Sequence, residues 1–260
     1  MDILILIILA ILPVFIIGMY IYKKDSNKEP TKLLIKLFIG GIASCFITLH
    51  ITNMVSQFIP LIVEDYNNQT LLELIIHAFV GVALIEEGSK WIIVYSNAYN
   101  DREFDEIYDM IVYSVFVALG FAFFENIIYI FSEGIRIAIV RALLSIPAHT
   151  CNGIFMGYYL MMAKMSTLQN DNTNRQKYLI LSALVPTIMH GIFDYCLFIG
   201  NILFFVIFCI FVVIMYVVSV NKVISVSKDN KKIMFKNRFC PKCGRRVDSN
   251  FCPSCGNKNE

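Results

Sequence analysis

Charge is what this chain has least of. Only 16 % of its 260 residues are Asp, Glu, Lys or Arg, against about 25 % in an average soluble domain. That is too few to cover the surface of an ordinary soluble globule. The charges present nearly cancel, 22 basic against 20 acidic for a net of +2, so no positive field points to a nucleic-acid partner. No segment repeats at about 20–50 residues, so a solenoid is excluded. The first apolar stretch has neither a basic leading region nor a small-residue cleavage site, so it reads as a retained helix and not a removed signal. What the chain does have is apolar residues, 57 % of the total. This excludes disorder. The class that remains is a polytopic membrane protein, and the mean hydropathy of +0.66 agrees.

A membrane-crossing helix needs about 20 apolar residues. Seven stretches qualify: about 3–22, 33–56, 71–96, 107–131, 136–163, 178–198 and 202–220. The expected fold is all-α, a transmembrane helix bundle of about seven spans followed by a small module. Short loops rich in Lys and Arg face the cytoplasm. Lys23, Lys24, Lys28 and Lys32 follow the first stretch, Arg102 follows the third, and Lys164, Arg175 and Lys177 follow the fifth. The tail carries Lys222, Lys228, Lys231, Lys232, Lys236 and Arg238. The intervening 57–70 loop has only Glu64 and Asp65 as charges, and Arg136 is the one basic residue near an outer turn. The expectation is a cell-membrane protein with the N-terminus outside and the C-terminus cytoplasmic.

The tail holds Phe-Cys-Pro-Lys-Cys-Gly and, after six intervening residues, Phe-Cys-Pro-Ser-Cys-Gly, which leaves eight residues between Cys243 and Cys252. Cys240, Cys243, Cys252 and Cys255 thus form two Cys-x-x-Cys knuckles, four thiolates for one tetrahedral Zn²⁺. So short a segment cannot bury a core, and the metal must supply its folding free energy. Two disulfides are the competing reading, disfavoured in a reduced cytoplasmic tail. The closed site is structural or binds a cytoplasmic protein partner. The domain division is 1–221 for the membrane domain, 222–238 for a basic linker and 239–260 for a ribbon like those appended to many bacterial proteins. Cys45, Cys151, Cys196 and Cys209 lie singly in spans and read as small core residues.

The informative residues are ionisable groups inside the apolar stretches. The third carries Glu86-Glu87-Gly88-Ser89-Lys90, the fourth Phe121-x-x-x-Glu125-Asn126, the fifth Arg141, Ser145, His149, Asn152 and Gly153, and the sixth His190-x-x-x-Asp194. Each charge near the bilayer centre costs about 2.5–3.5 kcal/mol. Glu86, Glu87, Lys90, Glu125 and Asp194 unpaired would cost on the order of 15 kcal/mol, more than a typical domain's net stability of about 5–15 kcal/mol. They must face one another or water. Residues four apart share a helix face, which pairs Glu86 with Lys90 and His190 with Asp194. The same spacing runs Arg141, Ser145, His149 and Gly153 down one face, with Gly153 and Gly157 permitting close helix approach. Singly, each group has a structural reading: an ion pair for Glu87 and Lys90, a helix cap for Asp194, an interhelical hydrogen bond for a lone histidine. His50 and His77 are assigned to that last role. Together, on four consecutive spans, the set points to function.

In this order and helical placement, Glu86-Glu87-x-x-Lys90, Phe121-x-x-x-Glu125, His149 and His190-x-x-x-Asp194 resemble the PrsW family of intramembrane proteases. That family is related to CAAX prenyl endopeptidases and Abi-type proteins. The resemblance covers about 70–220, and the cysteine module lies outside it. It implies peptide hydrolysis in or beside the membrane, on single-pass membrane proteins such as anti-sigma factors in envelope-stress signalling. The relatives are described both as glutamate/histidine enzymes and as metalloprotease-like. Glu/His clusters can bind Zn²⁺, yet no His-Glu-x-x-His occurs here, which argues against a zincin-type site. A catalytic metal is therefore doubtful.

Hydrolysis needs an activated water and a stabilised oxyanion. Glu86 is the candidate base, with Glu87 positioning the water or Lys90 and Glu125 sharing the water. His149 and His190 are the candidate oxyanion donors, and Asp194 sets a tautomer. Lys90, Asp194, Arg141 and Asn126 support. By residue counting, Glu125 and His190 fall in the outer half of the membrane and Glu86 slightly towards the cytoplasm, a spread of about two turns, on the order of 10 Å. Two other classes share these residues: a transporter or proton channel, and a catalytically inert scaffold.

Overall fold

The computed structural model describes residues 3–58, 70–230 and, in the tail, 238–240, 242–243, 246–247, 252 and 254–257. The described chain is helical apart from a short ladder in the tail. Helices α1 (Ile3–Lys24) and α2 (Thr31–Phe58) come first. The third apolar stretch is one continuous rod in three parts: α3 (Leu71–Ile76), a π-helical segment His77–Ala83, and α4 (Leu84–Asn97). Then follow α5 (Asp109–Glu133), α6 (Ile135–Leu143), α7 (Ser145–Leu168), α8 (Asn172–Ile199) and α9 (Ile202–Lys228). In the tail, β1 (Arg238–Phe239) pairs antiparallel with β2 (Arg246–Val247).

Every stretch expected to span is helical. Five helical units among the described residues are long and apolar enough to cross a membrane: α2, α5, α6 with α7, α8 and α9. The rod at 71–97 carries Glu73, Glu86, Glu87 and Lys90, so its charges set it apart from these. The 57–70 loop used to orient the chain lies mostly outside the described residues. Helix α9 runs on to Lys228, so the first residues of the expected linker are helical.

Helix α5 is the centre of the bundle, packed against α1, α2, α4, α6 and α7. Along most of its length it is buried, including Met110 to Val112, Val115, Val117 and Leu119. The outward faces of α2 and α9 are mostly Ile, Leu, Val and Phe, such as Ile35, Ile39 and Phe46 of α2 and Phe205, Ile210 and Val213 of α9, as lipid contact requires. Two close contacts hold α5 in place. A Cβ at Gly157 of α7 would lie 2.4 Å from the Met110 carbonyl oxygen, and one at Gly153 would lie 3.0 Å from the Ala118 Cβ. This is the close approach expected of that glycine pair. On the other side, a Cβ at Gly120 would lie 2.0 Å from the Phe38 carbonyl oxygen of α2. The neighbour there is backbone and cannot rotate away. Gly120→Ala is expected to cost about 1–3 kcal/mol by overpacking, read as a lower unfolding midpoint in detergent. An unchanged midpoint would mean that the helices are not in contact there.

The fifth stretch is not one straight helix. It breaks at Leu144, where φ is −118°. The cause is Pro147, which has no N–H to donate to the carbonyl of Leu143 four residues back. The Tyr216 hydroxyl of α9 donates instead, at 3.3 Å to Leu143 O and 3.0 Å to Leu144 O. So Arg141 and His149, expected on one continuous face, sit on two helices.

Of the four cysteines in spans, Cys45, Cys151 and Cys196 are buried. Cys209 is exposed on the outer face of α9 and is not a core residue.

Candidate active site

The polar residues of α4, α5, α6, α7 and α8 meet inside the bundle. At the centre is Lys90. Its Nζ lies 2.8 Å from Glu87 Oε1, 3.3 Å from Glu86 Oε2 and 3.1 Å from His149 Nδ1. It also sits 3.9 Å above the Phe121 ring, a buried cation–π contact. Helical spacing explains the first two contacts, since Glu86 and Glu87 precede Lys90 by four and three residues.

The two glutamates are not equivalent. Glu87 is fully buried, and its Oε1 also accepts from His190 Nδ1 at 2.9 Å and Asn152 Nδ2 at 3.3 Å. That oxygen is saturated. Glu86 makes only the 3.3 Å contact to Lys90 and a 3.9 Å approach to His190 Nδ1. Its carboxylate lines a cavity of about 230 Å³, which Glu87 does not. Glu125, Arg141, His149, Asn152, His190 and Asp194 line the same cavity, with Val82, Phe193, Leu197 and Phe198 among its apolar walls.

Each histidine bridges the centre to an outer carboxylate. An ammonium only donates, so His149 Nδ1 accepts from Lys90. The ring proton is then on Nε2, 2.8 Å from Glu125 Oε2. That same oxygen is 2.7 Å from Arg141 Nη2, and the guanidinium stacks 4.0 Å over Tyr129. His190 has Glu87 on Nδ1 and Asp194 Oδ2 at 3.3 Å from Nε2. Carboxylates only accept, so a ring donating from both nitrogens meets both. Four carboxylates face two fixed cations here, Lys90 and Arg141, which leaves two negative charges in excess when both rings are neutral. A doubly protonated His190 halves that excess.

Of the residues singled out from sequence, Glu86, Glu87, Lys90, Glu125, Arg141, His149, His190 and Asp194 are brought together. Asn126 is not. It is fully buried beside Glu125, but its amide atoms have no hydrogen-bond partner and it does not line the cavity. His50 is exposed on α2. His77 packs against Phe198 at 5.2 Å between ring centres. Asn152 was noted as polar but not placed in the site. Its position three residues after His149, on the same face of α7, was the available signal.

Residues 29–220 match the family model described as PrsW family intramembrane metalloprotease. The chain belongs to the PrsW family of intramembrane proteases. It is 36 % identical over 237 residues to Protease PrsW of Clostridioides difficile (strain 630), covering 89 % of this chain and 95 % of that protein. It is 36 % identical over 188 residues to Protease PrsW of Oceanobacillus iheyensis, covering 72 % of this chain and 80 % of the relative. Against Protease PrsW of Bacillus subtilis (strain 168) the figures are 34 % over 179 residues, 68 % and 76 %. No solved structure matches the chain.

The family description raises the question of a metal in the membrane cluster. Glu86, Glu87, His149 and His190 offer ligand atoms within 4.8 Å of one another, a suitable donor set for a divalent ion. The space is the difficulty. Lys90 Nζ already stands 2.8–3.3 Å from three of those four groups. An ion bound at about 2.0–2.2 Å from the same atoms would press against an ammonium of like charge. As folded, this PrsW family member does not fit a metal at that point.

The tail is different. Its four cysteine sulfurs also lie within 4.8 Å of one another, with Cys240–Cys255 at 3.3 Å and Cys243–Cys252 at 3.5 Å. Those separations are too long for disulfides, about 2.05 Å. They are close to the spacing of sulfurs at about 2.3 Å around one tetrahedral ion.

Proposed function

We propose that this chain is an endopeptidase that cuts single-pass membrane proteins, of the anti-sigma-factor kind, with Glu86 as the general base. The observation that carries the assignment of the base is the contrast between the two glutamates. Glu86 opens onto the cavity with one weak partner, while Glu87 has one saturated oxygen and a second that is unpartnered but buried, in a residue that does not line the cavity. A base must have a lone pair free for water. Glu87 holds Lys90, His190 and Asn152 in place. Glu125 orients His149, as a carboxylate fixes a tautomer.

The attacked carbonyl would lie in the cavity between Glu86 and His190. His190 supplies N–H to the developing oxyanion or to the leaving amine by releasing its longer contact, 3.3 Å from Nε2 to Asp194, while Glu87 keeps Nδ1 at 2.9 Å. Arg141 also lines the cavity, and its buried Nε has no hydrogen-bond partner, so a second donor is at hand. Water takes part as the nucleophile, and no step passes through a metal. The topology that goes with this reading has the N-terminus outside and the C-terminus in the cytoplasm, on the alternation of basic loops.

The test is co-expression with candidate single-pass anti-sigma factors, wild type against Glu86→Ala. A truncated product with wild type alone supports the proposal. A product in both strains would remove Glu86 as the base, and a product also in a strain without this chain would assign cleavage to another enzyme. A defect in solute flux with no cleavage defect would support the transporter class.

For the tail we propose one structural Zn²⁺ on Cys240, Cys243, Cys252 and Cys255, with the module docking a cytoplasmic protein. Metal analysis of the full chain should give one zinc per chain, and Cys240→Ser should lose it while cleavage persists at least in part. Undiminished zinc in Cys240→Ser would rule the site out.

A further inference from the structure

A second group of buried acids lies far from the membrane cluster. Asp25 follows α1, Glu106 precedes α5, and Asp109 opens α5. Asp109 and Glu125 are sixteen residues apart on α5, a rise of about 24 Å. We propose that Asp25, Glu106 and Asp109 bind a hard divalent cation, Mg²⁺ or Ca²⁺, that fastens the start of the C-terminal tail to the end of the bundle.

Four observations lead there. The three carboxylates are 3 %, 7 % and 0 % exposed, and each brings an oxygen within 4.8 Å of the others. Oxygens around one Ca²⁺ at about 2.4 Å lie about 3.4–4.8 Å apart, so the spacing suits one ion. Next, Asp25 Oδ2 is buried with no hydrogen-bond partner. Buried carboxylate oxygens are costly unless something compensates them. Third, among the described residues no ion pair reaches these groups. Lys28, the nearest basic side chain in the loop, gives its Nζ to the carbonyls of Tyr22, Lys23 and Asp25. Finally, a fourth acid stands beside them. Glu29 accepts from the Tyr113 hydroxyl. No histidine or cysteine ligand joins the three, so the donor set is all oxygen and selects a hard ion.

The link to the tail is Asn230, just past the end of α9. Its Nδ2 donates to Ser26 Oγ at 2.9 Å and to Glu106 Oε2, and its Oδ1 accepts from the Tyr108 amide at 3.1 Å. Ser26 Oγ also donates to Glu106, at 3.1 Å. An ion on Glu106 would therefore hold together the α1–α2 loop, the α4–α5 loop and the point where the chain leaves for the cysteine module.

The test uses the full-length protein in detergent with Mn²⁺ as the probe, read from the loss of the free-ion EPR signal. Wild type should hold about one Mn²⁺ more than Asp25→Asn, and ions held elsewhere cancel in the difference. Mg²⁺ or Ca²⁺ should compete that ion off, and whichever competes at the lower concentration identifies the natural occupant. Removing one charged ligand should weaken binding at least about tenfold. Asp25→Asn keeps the side-chain volume and removes an uncompensated charge, so it should fold; Glu106→Gln is the second variant. Mg²⁺ or Ca²⁺ should also raise the unfolding midpoint of wild type and not of either variant. Equal Mn²⁺ counts in wild type and both variants would overturn the proposal. So would a wild type stabilised by lower pH but indifferent to all three cations, because the carboxylates would then be holding protons.

Discussion

Glu86→Gln should abolish cleavage and leave the protein folded in the membrane. Glutamine matches glutamate in volume, and its carbonyl can still accept from Lys90, 3.3 Å from Glu86 Oε2 in the wild type. What it cannot do is take a proton from water. Positioned general bases contribute about 10²–10⁴-fold to rate, so turnover of a purified substrate should fall by that factor. Size-exclusion behaviour and unfolding midpoint should stay close to wild type. His50→Ala, on an exposed face of α2, and His77→Ala, packed against Phe198, should keep activity. If Glu86→Gln retained turnover within about tenfold of wild type, below what a base supplies, the base would have to be another carboxylate on the cavity. Glu125 and Asp194 are the two available.

The same cluster shows which physical rules carry from sequence to structure. Spacing of three or four within one helix was reliable. It anticipated the Lys90 contacts to Glu86 and Glu87 and the His190–Asp194 pair, because the helix itself enforces them. Residue counting across helices was not. It spread Glu86, Glu125, His149 and His190 over two turns of depth, yet His149 bonds Glu125 at 2.8 Å and His190 lies 3.9 Å from Glu86. Counting assumes straight α-helices entering the membrane at one level. The π-helical segment His77–Ala83, just before Glu86, and the break at Leu144 both violate that assumption. Arg141 still reaches Glu125 from its separate helix because its side chain is long. The acid group of Asp25, Glu106 and Asp109 was not legible at all. Each is an ordinary polar residue at or beside a loop, and only the meeting of two loops makes them neighbours. The packing of Gly120 on α2 was equally hidden, since one glycine in a span carries no sign of which carbonyl will approach it.

Lys90→Met should be the most destabilising single change in the membrane domain. The ammonium is 1 % exposed and, among the described residues, is the only cation within 4 Å of Glu86 or Glu87 apart from the His190 ring. Methionine has a similar shape and a good helix propensity, so the loss is electrostatic. Breaking a buried pair by removing one partner costs about 3–5 kcal/mol, because the other charge is left uncompensated. Here one lysine serves two carboxylates, so the upper end of that range applies. The stronger partner is Glu87, at 2.8 Å against 3.3 Å for Glu86. Adding Glu87→Gln to Lys90→Met should therefore recover most of the lost stability, since replacing both members of a buried pair is often close to neutral. It should not recover cleavage, because His149 Nδ1 has lost its donor and His190 has lost a charged acceptor. Unfolding midpoints of the two single variants and the double, measured in one detergent, give the coupling directly. A Lys90→Met protein as stable as wild type, or a double variant no more stable than the single, would mean that the lysine is not what compensates this pair of carboxylates.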